Sequence, residues 1–96
     1  MIKEIKKYFL ENKQNFSAKS IELDVVVDEN DFFTLDIIDK NYMYRLAVHE
    51  NDYLDFEKID KNNGQSLDCK SYFFEDNIQQ EAYINIIKEI VLNLLY

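Results

Sequence analysis

Between Ser20 and Phe74 apolar residues recur at every second position in five short runs, and this period of two limits the fold more than any other feature of the chain. A strand sends successive side chains to opposite faces, so such runs build a sheet with one apolar face. Ile21, Leu23, Val25 and Val27 alternate with Glu22, Asp24, Val26 and Asp28, and Phe33, Leu35 and Ile37 alternate with Thr34, Asp36 and Ile38. Tyr42, Tyr44, Leu46 and Val48 alternate with Met43, Arg45, Ala47 and His49, and Leu54 and Phe56 with Asp55 and Glu57. A fifth run sets Leu67, Cys69, Ser71 and Phe73 against Asp68, Lys70, Tyr72 and Phe74. Turn formers separate the runs: Asp28-Glu29-Asn30-Asp31, Asp39-Lys40-Asn41, Glu50-Asn51-Asp52 and Lys61-Asn62-Asn63-Gly64. Asn63-Gly64 is the strongest hairpin signal, because both residues tolerate left-handed backbone angles. Every connection is short enough for antiparallel neighbours, which predicts a meander.

At both ends the period lengthens to that of a helix. Ile2, Ile5, Phe9 and Phe16 lie three, four and seven residues apart with Lys3, Glu4, Lys7 and Glu11 on the other side, predicting a surface helix over about 2–15. Asp76 or Asn77, each followed three residues later by a glutamine, caps a second helix starting near 77. Ile78, Ala82, Ile86, Ile87, Ile90, Val91, Leu94 and Leu95 form its apolar stripe, with Ile86 and Ile90 expected against the sheet. Strands with one apolar face and two amphipathic helices are satisfied together if both helices cover the same side. The expected fold is α+β: a two-layer, five-stranded antiparallel meander sheet with the N- and C-terminal helices packed on one face. At 96 residues, 47% of them apolar, the chain supports one core, so residues 1–96 form a single domain.

Composition narrows the function. One cysteine, Cys69, and one histidine, His49, cannot build a disulfide scaffold or the usual cysteine- and histidine-rich metal centres. One glycine, Gly64, argues against glycine-rich phosphate loops. No cofactor is implied. The formal net charge is −8; residues 1–19 carry +3 and the remainder −11, so the acid lies in the body of the fold. Affinity for nucleic acid comes from lysine and arginine displacing counterions, so direct binding to it is not expected and a basic protein partner is. No run of about 18 apolar residues exists to span a membrane, and the amphipathic N-terminus is not a signal core, which reads as cytoplasmic.

If the odd-numbered apolar residues point inward, the uncovered face carries Asp24, Asp36, Arg45, Asp55, Glu57 and Asp68, with Val26, Phe32, Ile38, Met43, Tyr72 and Phe74 around them. A mixed acidic and aromatic face suits protein binding, with Asp24, Asp36, Arg45, Asp55, Glu57, Asp68 and Tyr72 as candidate contacts; a plain solvated face is the alternative. Arg45, the one arginine, pairs with Asp36 or Glu57 across the sheet, or serves as an interface anchor. The same parity puts Cys69 inside and His49 outside, which separates the only candidate nucleophile and base. The acidic loops at 28–31 and 50–52 lack the graded spacing and central glycine of a calcium loop. No enzymatic role is expected.

The stretch Tyr44-Arg45-Leu46-Ala47-Val48-His49-Glu50-Asn51-Asp52-Tyr53-Leu54-Asp55-Phe56-Glu57, the turn ending in Gly64, the short strand after it and the apolar last helix resemble the TriTu immunity proteins of bacterial polymorphic toxin systems over residues 42–96. Arg45, Glu57 and Gly64 carry the resemblance; His49 and Asn51-Asp52 stand where the family often has tryptophan and glycine, and Asn63 stands for a threonine. The resemblance implies a protein that binds and neutralises a cognate antibacterial toxin domain, an ADP-ribosyltransferase in the founding type; a monomer in a 1:1 complex is expected. Covering a basic active or substrate-binding cleft with about 800 Å² per partner would suffice for tight inhibition. The competing reading is an acidic mimic of nucleic acid that blocks a DNA-binding protein, such as an anti-CRISPR or anti-restriction protein.

Overall fold

A computed structural model describes residues 1–50 and 53–95, with Leu95 described by its backbone alone. The Asn51-Asp52 part of the expected turn and the Leu95 side chain assigned to the apolar stripe lie outside the described residues. In chain order the elements are α1 (Ile2–Glu11), α2 (Lys13–Ala18), β1 (Glu22–Asp28), β2 (Phe32–Ile38), β3 (Tyr42–His49), β4 (Tyr53–Asp60), β5 (Ser66–Phe73) and α3 (Asn77–Leu95). The strands form one antiparallel sheet in the order β1-β2-β3-β4-β5, the expected meander. Phe33, Leu35, Ile37, Leu46, Val48, Leu54 and Phe56 share a buried cluster with Ile5, Phe9 and Phe16 from the N-terminal helices and Ile84, Ile87 and Val91 from α3. All helices therefore cover one sheet face, and the other face is open.

The N-terminal helix is two pieces. Asn12 interrupts it, and its side-chain amide turns back to donate to the Tyr8 carbonyl at 2.9 Å, the local competition with helix bonding for which asparagine is suited. The break lets Phe16 reach the core, where it is fully buried. α2 closes with the Ile21 N–H donating to the Phe16 carbonyl and the Ser20 N–H to that of Ser17, while Ser20 takes φ 59°, a conformation usually given to glycine. Gly64, at φ 71°, closes the β4–β5 loop and donates to the Asp60 carbonyl at 2.8 Å. α3 is capped by Asp76, whose Oδ1 accepts from the Gln79 N–H at 2.8 Å while Gln79 Oε1 accepts from the Glu75 N–H.

α1 has no local cap. Glu50, past the end of β3, supplies one: its carboxylate accepts from the Ile2 N–H at 2.9 Å and pairs with the Met1 ammonium at 2.7 Å. The Glu50 carbonyl also accepts from Gln80 Nε2 in the first turn of α3, so one residue ties both helices to one end of the sheet. Burial alone would raise the Glu50 carboxyl, but the bonds from Met1 and Ile2 outweigh it and hold it below the ordinary carboxylate range.

Three expected placements are corrected. In α3 the residues fully buried against the sheet are Ile84, Ile87 and Val91; Ile90 packs half-buried beside them as expected, whereas Ile86 is 37% exposed. The helix is apolar on several sides, so its sequence leaves the phase of the buried stripe open. In β1 a bulge at Val26 shifts the register, so Val27 lies opposite Thr34 on the open face and Asp28 opposite Phe33 on the helix side, where it pairs with Lys6. In β5 a bulge at Leu67 moves the pairing with β4 by one residue. A one-residue shift exchanges the two faces of a strand. Cys69, expected inside, is therefore on the open face; Asp68, Tyr72 and Phe74, expected outside, are on the helix side, with Asp68 opposite Lys58, Tyr72 opposite Leu54 and Phe74 buried beside Tyr83.

Candidate interaction face

Register fixes what the open face presents, because cross-strand partners share a face. Its central row runs Asp24, Asp36, Arg45, Glu57 and Cys69 from β1 to β5. On one side lies a row of short side chains and one acid, Thr34, Ala47, Asp55 and Ser71, and beyond it a row of rings, Phe32, His49, Tyr53 and Phe73. On the other side Ile38, Met43 and Ile59 form an apolar strip. Of the seven residues expected to contact a partner, the structure brings Asp24, Asp36, Arg45, Asp55 and Glu57 together here and places Asp68 and Tyr72 on the opposite side.

The acids in this face are not equivalent. Asp36 is only 5% exposed, and both its oxygens accept from Arg45, Oδ1 from Nε at 2.8 Å and Oδ2 from Nη2 at 3.0 Å. Such a fork is the strong geometry for an arginine–carboxylate pair, and it decides between the two expected partners of Arg45 in favour of Asp36. The hydrogen bonds to Asp36 outweigh partial burial and push the guanidinium still further above its ordinary value. Glu57 accepts from the Ser66 hydroxyl at 3.1 Å, and Asp24 is exposed. Among the described residues Asp55 has no hydrogen-bond or ion-pair partner, and its Oδ1 is enclosed. Among the described residues Glu22, Asp24, Asp55 and Glu57 are therefore the acids of the face without an ion pair, whereas Asp36 is neutralised within the protein.

The row of rings was only half visible in the sequence. Phe32 and His49 were expected outside, but Tyr53 had no assigned face and Phe73 was expected inside. Ring centroids lie 4.5 Å apart from Phe32 to His49, 4.2 Å from His49 to Tyr53 and 5.2 Å from Tyr53 to Phe73, an unbroken series over four strands. The signal that finds it is the position of each turn centre, which sets the cross-strand partner of every residue, together with the bulge that corrects the last hairpin.

Cys69 and His49 lie on this same face but two strands and two rows apart, on the order of 15 Å by strand spacing and rise. That is far beyond nucleophile–base contact. Loss of hydration, then the charges of Glu57, Asp55 and Asp68, push the Cys69 thiol up, which disfavours the reactive thiolate. An apolar crevice of about 270 Å³ between α1 and β1 is lined by Phe9, Leu10, Leu23 and Val25, with Lys6, Lys13 and Asp28 at its polar margin. Among the described residues no three His, Cys, Asp or Glu side chains gather as a metal ion would need, and no helix is long and apolar enough to cross a membrane.

The sequence profile of the family described as Immunity protein TriTu matches residues 3–90, from the first helix into the last. The chain belongs to the TriTu immunity protein family. The match extends the resemblance seen over residues 42–96 to nearly the whole fold, so the open face lies within family territory. No curated protein and no solved structure matches the chain. Immunity proteins act by binding and neutralising a cognate toxin, generally without catalysis of their own.

Proposed function

We propose that this TriTu protein neutralises its toxin by laying the open sheet face over a basic active or substrate-binding cleft of the toxin domain, as a monomer in a 1:1 complex in the cytoplasm. The observation that carries the proposal is an entire uncovered sheet face holding four carboxylates without an ion pair among the described residues and a continuous row of rings, in a member of a family of immunity proteins. Five strands at about 4.8 Å spacing and seven to eight residues at about 3.3 Å rise span roughly 600 Å² in projection. With its rim, this reaches the size of a standard protein interface, about 800 Å² per partner. The acids act on arrival: opposite potentials speed encounter by about tenfold or more at low salt, while buried contacts set dissociation.

Following the family resemblance, the toxin is an ADP-ribosyltransferase domain. In the founding type that domain modifies elongation factor Tu, so the test is co-expression with the cognate toxin domain: restored growth and suppressed ADP-ribosylation of elongation factor Tu support the reading, and unabated killing by a toxin co-expressed with folded protein contradicts it. Reversing Asp24 and Glu57 to lysine should lower the association rate by about tenfold at low ionic strength, and by much less at 0.5 M salt, where the Debye length is only a few Å. Asp36 is unsuited to this test, because its reversal would break the Arg45 fork.

A further inference from the structure

Resting on that reading, we infer that the ring row and the Asp55 carboxylate beside it hold the complex together, and that their occupant is an arginine of the toxin set among apolar neighbours. The row is already packed against itself, from Phe32 through His49 and Tyr53 to Phe73, so its rings lose little freedom when a partner covers them. Phe73 ends the row at the edge strand, 65% exposed, with Tyr53 the one ring against it among the described residues. Its other face is open to a partner. Asp55 is diagonal to Phe73 on the neighbouring strand, about 7–8 Å away between backbones.

Among the described residues the carboxylate has no donor of its own. Its cross-strand neighbours are Ala47 and Ser71, neither of which donates to it, and Arg45, the one cation among the strand residues of this face, is committed to Asp36 by two bonds. Oδ1 is enclosed, so the oxygen open to an incoming N–H is Oδ2, which accepts from no group among the described residues and would gain a charge-assisted bond when a partner covers the face. A guanidinium matches this pair of features better than an ammonium: its plane stacks on a ring while its edge offers several N–H groups to a carboxylate at the side. The acids of the central row thus bring the toxin in, and the rings with Asp55 keep it there.

The test measures association and dissociation of the catalytically inactivated cognate toxin domain, using Phe73→Ala, Asp55→Asn and, as a helix-side control, Lys13→Ala. Phe73 is exposed and asparagine is isosteric with aspartate, so both variants keep the fold, which a urea melt verifies. Each is expected to speed dissociation by about tenfold or more while association changes by less than about threefold. In an arginine-to-alanine scan of the toxin, one arginine should lose most of its effect once Asp55 is asparagine. Dissociation slower than that threshold in both variants overturns the inference and leaves the neutralisation reading standing. Coupling of Asp55 to a toxin lysine and to no arginine overturns the guanidinium assignment, faster dissociation in Lys13→Ala alone moves the interface to the helix side, and a wild-type protein that does not bind overturns both readings.

Discussion

Breaking the Asp36–Arg45 fork from its two ends should give unequal losses of stability. Asp36 is 5% exposed, so after Arg45→Met its charge has neither partner nor water, a situation that costs about 3–5 kcal/mol. The Arg45 side chain is 43% exposed, so after Asp36→Asn the guanidinium turns to solvent and the loss approaches that of one charged hydrogen bond, about 1.5–3 kcal/mol. Replacing both by apolar groups, Asp36→Leu with Arg45→Met, removes the buried charge altogether and should return stability to within about 1–2 kcal/mol of wild type. Urea unfolding followed by circular dichroism at pH 7 measures all three, and the coupling follows from the cycle. Equal single losses below about 1 kcal/mol, with no coupling, would refute the reasoning, because the pair would then behave as an exposed ion pair.

Other expectations follow from the same structure. Ile84→Ala should cost about 2–5 kcal/mol and Ile86→Ala less than about 1, since Ile84 is 2% and Ile86 37% exposed; equal losses in a denaturant melt would place the helix in the wrong phase. The Glu50 carboxyl is lowered in the folded state, so its stabilisation is present above its unfolded value near 4.3 and is lost as pH falls through the folded one. Glu50→Gln should therefore cost about 1–2 kcal/mol at pH 7 and a shrinking amount between pH 5 and 3, read from melts across that range. Ser20→Gly should raise stability by up to about 1 kcal/mol by relieving a left-handed serine, and a lower melting temperature would show that the serine side chain matters more than its backbone.

The element order and the meander were legible because period-two and period-3.6 patterns are set by burial of one face. What the sequence hid were events of a single residue. The pairing nearest the turn, Ile59 with Ser66, would set Asp55 opposite Lys70 and keep the expected faces, but the Leu67 bulge sets it opposite Ser71, and β5 from Asp68 onward changes face. The bulge at Val26 does the same to the end of β1. The break at Asn12 was masked because Phe16 fits the helical period from either piece. Glu50 could not be recognised as the cap of α1, since the two are 48 residues apart in sequence and only the fold brings them together. The acids of the central row were found by parity alone, whereas the inequality between Asp36 and its neighbours depends on burial, which alternation does not report.

Cys69 offers the most direct test of the open face as the toxin-binding surface, because it is the chain's one cysteine and lies in the central row of that face. The measurement is the rate at which a bulky maleimide modifies Cys69, followed by mass spectrometry of its peptide, for the free protein and for the complex saturated with the inactivated toxin domain. The account predicts that the bound toxin slows modification by about tenfold or more, and that protein already carrying the maleimide no longer binds. Unchanged modification of Cys69 in the intact complex would contradict it and place the toxin on the helix-covered side.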